Sequence, residues 1–302
     1  MLKQVGKSAL WWLVYIMAST LGVSIAMFIS LASRLIDFYQ SGEDFMSSFM
    51  EYITESLLPG TFYAGIICII VYVAYKAICK HPAEWKQINF SKAIFCFALG
   101  AAFNLIISYV LEFLWALLPV SLTDSATEAT AMLDTDTYHW LFLLVSVGIV
   151  APISEEIIFR HGMCRTLAKG NVLMGILLSS IVFGMAHGNL IQGVYTCMMG
   201  IVCAIVILNT DNIWYPAFIH MGLNCSSVFA SAVPEALSNI TLIIIGFTGV
   251  LIVVTMLIHR DDIRALLKKP NMIPVLDVKT PIEQIVESPE ATENIIPSDI
   301  NL

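Results

Sequence analysis

Few side chains in this sequence can do acid–base chemistry inside an apolar setting, and most of them lie between residues 155 and 224. The stretch Pro152-Ile153-Ser154-Glu155-Glu156-Ile157-Ile158-Phe159-Arg160 sets two adjacent carboxylates ahead of a guanidinium. On a helix Glu156 and Arg160, four residues apart, share a face and neutralise each other. Glu155 points about 100° away, beside Ile158 and Phe159, with no partner in its own helix. The paired carboxylate holds structure. Its unpaired neighbour is free to act as a general base on water.

Phe183-Gly184-Met185-Ala186-His187-Gly188 supplies an imidazole. The turn between its helix and that of Glu155 falls at Lys169-Gly170-Asn171. Glu155 precedes Asn171 by sixteen residues and His187 follows it by sixteen, so both sit about 24 Å along antiparallel helices. Equal depth is what a Glu–His pair gripping one water requires. His220-Met221-Gly222-Leu223-Asn224 places a histidine and an amide on one helix face, two neutral donors suited to an oxyanion hole. His220 lies about 14 Å from a turn near Asp211, so its depth matches less closely. Each piece alone also fits a structural role: an ion pair locking a helix, a satisfied histidine, a polar contact between helices.

The elements that must position these groups are membrane helices. Of 302 residues 58% are hydrophobic and only 13% charged, with a mean hydropathy of +0.82. A soluble domain carries about 25% charged residues, so this exterior must meet lipid. Eight apolar runs follow: 9–32, 58–79, 91–118, 139–160, 172–187, 190–208, 213–232 and 237–258, each near the ~20 residues that cross a bilayer. With the N-terminus inside, fourteen of the fifteen Lys and Arg residues fall on the inner side, Arg34 being the exception. The segments 33–57 and 119–138 then lie outside, and both termini are cytoplasmic. The first run is too long for a signal peptide. Apolar residues at helical spacing over 43–57 predict an interfacial helix on the outer leaflet. The seven cysteines show no C-x-x-C spacing and read as buried apolar residues.

The fold class is therefore all-α, a polytopic transmembrane helical bundle with about eight spans. Residues 1–138 hold the first three helices and outer loops, 139–232 a core of four helices with the polar motifs, 233–260 a final span, and 261–302 a Pro- and acid-rich disordered cytoplasmic tail. No basic stripe suggests nucleic acid.

The three motifs, E-E-x-x-x-R, F-x-x-x-H and H-x-x-x-N, occur in the order and spacing of the CPBP (Abi) family. That family includes CAAX-prenyl endopeptidases and bacteriocin-processing or bacteriocin-immunity proteins. The resemblance covers residues 139–232. It implies an intramembrane endopeptidase of the glutamate type in a bacterial cell membrane. Glu155 and His187 would activate water, His220 and Asn224 would stabilise the oxyanion, and Glu156 and Arg160 would support the site. The implied substrate is a peptide or protein at the membrane, lipidated or bearing a leader. No cofactor is implied.

Three other readings use the same residues. Two histidines and a glutamate could bind zinc, although H-E-x-x-H is absent. The fold could be retained as a non-catalytic immunity protein or scaffold. A transporter would show broken helices around a midplane site, but the halves carry no repeat.

Overall fold

The computed structural model describes residues 1–41, 45–78, 86–115 and 139–270, and these are helical with short connections. The helices are α1 (Leu2–Ser41), α2 (Phe45–Ile78), α3 (Phe90–Trp115), α4 (Trp140–Ala168), α5 (Val172–Met185), α6 (Leu190–Thr210), α7 (Trp214–Ser231), α8 (Glu235–His259) and a short α9 (Asp261–Arg264) that ends in a 3-10 turn, Ala265–Leu267. Among the described residues there is no β-strand. The eight expected spans correspond to α1–α8. The outer loop expected at 119–138 and the tail beyond residue 270 lie outside the described residues.

Six of these helices, α1 to α4, α6 and α8, are long and apolar enough to cross a membrane. The bundle is polarised as lipid demands. Leu13, Phe28, Ile70, Ile106 and Phe247 face outward, whereas Glu156, Arg160, His220 and Asn104 are buried. α7 falls short of the hydropathy of a span because it carries His220, Asn224, Ser226 and Ser227. It needs no lipid-facing coat, since α3, α4, α6 and α8 all pack against it. α5 falls short in length: fourteen residues rise about 21 Å, less than the ~30 Å hydrocarbon core.

One expectation changes. Residues 45–57 are not a separate interfacial helix but the first part of continuous α2, which runs through Pro59. The helix stays whole there because Gly60 packs against the Val23 backbone of α1, where a Cβ would come within 2.7 Å of the Val23 Cα. Packing of this kind sustains proline inside membrane helices.

Turn chemistry sets where the core helices begin. The Asn171 side chain accepts the Met174 N–H (2.9 Å) and opens α5, at the turn expected from the sequence. Asn189 does the same for Gln192 (3.0 Å) and opens α6. Asp211 closes α6 in the left-handed region, φ 51° and ψ 29°. Between α3 and α7 the backbones nearly touch: a Cβ on Gly222 would collide with the Phe97 carbonyl. Asn104 donates across the same interface to Ser226 Oγ (2.8 Å) and Ser227 Oγ (3.0 Å). This contact fixes the helix that carries His220 and Asn224.

Candidate active site

α4 is not a regular helix where it carries the carboxylates. Two π-helical segments, Ser146–Val150 and Ile157–Cys164, flank the α-helical turn Ala151–Glu156. Wide turns of this kind recur at functional sites because they re-aim side chains. Here the local cause is legible. The Ala151 N–H bonds to the Ser146 carbonyl, five residues back, and Pro152 has no N–H to offer Val147. The Val147 carbonyl is left to a neighbour, and Asn224 Nδ2 of α7 donates to it at 2.8 Å. Cys225 Sγ approaches the next carbonyl, Gly148, at 3.5 Å. The proline of α4 thereby docks α7.

The two carboxylates part company as their helical phase predicts. Glu156 Oε2 lies 3.2 Å from Arg160 Nε, and both side chains are fully buried. The guanidinium also lies over the Phe183 ring, 4.7 Å from its centroid, a cation–π contact. Gly200 of α6 makes this possible, because a Cβ there would sit 3.0 Å from Arg160 Nη2. Glu155 has no partner on α4 and keeps 17% of its side chain exposed.

His220 stands between them. Its Nδ1 is 3.3 Å from Glu156 Oε1 and its Nε2 is 3.7 Å from Glu155 Oε2. A carboxylate only accepts, so Nδ1 carries hydrogen toward Glu156 and Nε2 addresses Glu155. This link joins the two motifs more tightly than helix phase alone suggests.

His187 lies just past the end of α5, in the turn before α6. Its Nδ1 donates to the Phe183 carbonyl at 2.9 Å, which leaves Nε2 as the nitrogen with a lone pair. The Phe183 ring is flanked by the His187 ring (4.9 Å) and the His220 ring (5.6 Å), both edge-on, and Phe159 completes the packing at 5.0 Å. Among the described residues no hydrogen bond joins Glu155 to His187, but the Glu155 charge acts on the His187 ring. Arg160, His187 and His220 lie against the Phe183 ring, Glu155 and Glu156 join them through His220 and Arg160, and Asn224 lies one helical turn beyond His220 on α7, bound to Val147.

A narrow cavity of about 60 Å³ opens beside Glu155, room for a few water molecules. Its remaining walls come largely from α1 and α2, including Tyr15, Ser19, Thr61, Gly65 and Cys68. The sequence motifs did not reach these residues. Hydroxyls within otherwise apolar runs were the only available signal. Among the described residues no group of three or more His, Cys, Asp or Glu side chains is arranged to hold a metal ion.

Comparison with known proteins finds similarity over the stretch that carries this site. Residues 137–226 match the family described as type II CAAX prenyl endopeptidase Rce1-like. YdiL of Bacillus subtilis (strain 168), named as a candidate membrane peptidase, is 36% identical over 105 residues. That match spans 34% of this chain and 43% of YdiL. No solved structure matches. Residues 137–226, which hold all six residues of the polar cluster, are thus similar to the Rce1-like type II CAAX prenyl endopeptidase family, and the chain spans less than half the length of the curated relative it matches.

Proposed function

We propose that this protein is an intramembrane endopeptidase that hydrolyses peptide bonds by glutamate-based water activation. The observation that carries this reading is the unequal fate of two adjacent carboxylates. Glu156 is fully buried and held by Arg160 and His220, while Glu155 is unpaired on its helix and opens on a cavity. A purely structural cluster has no use for the second carboxylate.

In the proposed reaction a water between Glu155 and His187 gives up a proton as its oxygen attacks the scissile carbonyl carbon. His187 Nε2 has the lone pair for this, because Nδ1 is held by the Phe183 carbonyl. The tetrahedral oxyanion takes hydrogen bonds from the second N–H of the Asn224 amide and from His220 in its imidazolium form, which keeps Nδ1–H on Glu156 and offers Nε2–H. Collapse breaks the C–N bond, and the proton held by Glu155 or His187 passes to the leaving amine. Glu156 and Arg160 keep His220 in place.

The substrate class proposed is a peptide or protein held at the membrane, with a lipidated C-terminus or a leader segment. The reading puts both termini on the cytoplasmic side of a bacterial membrane, and the distribution of Lys and Arg supports the inner position of the termini. The reaction needs no metal. Activity retained in strong chelators is the expected result, whereas loss on chelation and recovery with zinc would transfer the reading to a metalloprotease. Comparative peptidomics of membranes carrying the wild type or Glu155→Gln tests the function itself. Peptides that accumulate uncut only in the variant support it.

One observation favours a second reading. An Asn224 N–H already serves the Val147 carbonyl, as expected of a non-catalytic scaffold. Identical peptide profiles for wild type and a folded Glu155→Gln protein would establish that reading instead.

A further inference from the structure

A second, larger cavity of about 310 Å³ lies at the opposite end of α7's approach to the site, where the basic residues gather. It is walled by the segment before α3, the α6–α7 turn and the α9 region. Lys86, Lys92, Asn212, Tyr215 and Asp262 are among its lining residues. We propose that this cavity binds the phosphate of an anionic phospholipid headgroup. The inference does not depend on the peptidase reading.

Charge and donor geometry both point to an anion. The N-termini of α3, 26 residues long, and α7, 18 residues long, converge here and bring the positive ends of their dipoles. Lys92 makes no ion pair within 4 Å among the described residues, although its charge acts on Asp262 across the cavity. The two aspartates nearby are already neutralised: Arg260 grips Asp262 through Nε and Nη2, each at 3.0 Å, and this holds its carboxyl below the ordinary range. Asp211 pairs with Lys86 (2.9 Å) and with Arg165.

Tyr215 adds a second, independent indication. It is 5% exposed, and its hydroxyl oxygen accepts the Asn89 N–H at 3.1 Å. Among the described residues no acceptor takes the phenolic hydrogen, which leaves a buried donor on the cavity wall. The walls are held in shape by the strained Asp211 and by Asn209, whose Nδ2 donates to the Leu266 carbonyl (2.9 Å) and the Lys268 carbonyl (2.7 Å).

The rim favours a lipid over a free ion. Ile88 is 44% and Phe90 78% exposed, beside Lys86 and Lys92. An apolar rim next to a polar, basic hollow suits a molecule with a charged head and a hydrocarbon tail. Basic pockets between membrane helices take lipid headgroups for this reason.

The test uses the full chain in phosphatidylcholine nanodiscs, titrated with phosphatidylglycerol while thermal unfolding is followed. Native mass spectrometry counts the lipid that stays bound. Wild type should show saturable protection and one retained lipid. Lys92→Gln/Tyr215→Phe should need about tenfold more phosphatidylglycerol for the same protection. Lys3→Gln/Lys7→Gln removes two charges from the N-terminus of α1, neither of which lines the cavity, and should titrate as wild type does. Lys92→Gln alone, at a partly exposed position, provides the comparison if the double variant does not fold. Equal titration of wild type and the cavity variants would overturn the proposal. So would equal protection by inorganic phosphate in neutral nanodiscs.

Discussion

α4 and α8 are both apolar helices long enough to cross a bilayer, yet they are used in opposite ways. Half of the most apolar stretch of α4 is buried inside the protein, against 11% for α8. α8 meets lipid and carries no charge between Glu235 and His259. α4 is enclosed by α1, α2, α6 and α7 and carries two carboxylates and a guanidinium near mid-length. An ionised side chain facing hydrocarbon costs about 2.5–3.5 kcal/mol or more. Inside the bundle, partners on neighbouring helices offset that cost. The comparison teaches that, among the described residues, buried charge within the membrane-spanning helices sits where other helices wrap its carrier.

The comparison breaks most severely at Glu156. Glu156→Ala strands Arg160 with no counter-charge in a site closed to water, at a cost of about 3–5 kcal/mol. Poor membrane yield and a much lower melting temperature are expected, and a wild-type melting curve would show that the pair is dispensable. Glu155→Gln, one residue away, should leave the melting temperature unchanged and lower kcat by about 10²–10⁴, the usual contribution of a general base. Cleavage at the wild-type rate by folded Glu155→Gln would remove Glu155 from the chemistry.

Asn224→Ala sharpens the same contrast, because it acts on both sides of it. Loss of an oxyanion donor should lower kcat by about 10²–10³. Loss of the contact to the Val147 carbonyl should cost about 1–3 kcal/mol of stability. Melting and turnover measured on one preparation separate the two. A variant that loses stability alone assigns Asn224 to docking α7. The smallest effect belongs to the lipid-facing surface. Leu13→Ala on α1, where Leu13 is 50% exposed, should change stability by no more than about 0.5 kcal/mol. A larger loss in a thermal melt would mean that α1 meets a partner rather than lipid there.

Composition and hydropathy alone made the class legible. So little charge calls for a lipid-facing exterior, and continuous apolar runs of about 20 residues select helices over a closed barrel as the way to satisfy the backbone in lipid. The six residues of the polar cluster were legible too, because a polar or ionisable group in an apolar run stands out against its neighbours. Helix phase separated Glu156, paired with Arg160, from Glu155. Turn residues placed the start of α5 at Asn171 and the end of α6 at Asp211.

Other features were decided only when the helices packed. His220 was expected to pair with Asn224 as a donor, but it also reaches both carboxylates of α4, a contact 64 residues apart in sequence that no local pattern encodes. The amide of Asn224 is drawn to Val147 by a carbonyl that Pro152 and a π turn left without a donor. Tyr15 and Ser19 reach the Glu155 cavity because α1 folds against α2 and α4, and only a hydroxyl in an apolar run marks them in the sequence. Residue type and spacing along one helix determine which face a group occupies and how deep it lies. Which group from another helix meets it there depends on tilt, phase and close backbone approach, and those exist only in the assembled bundle.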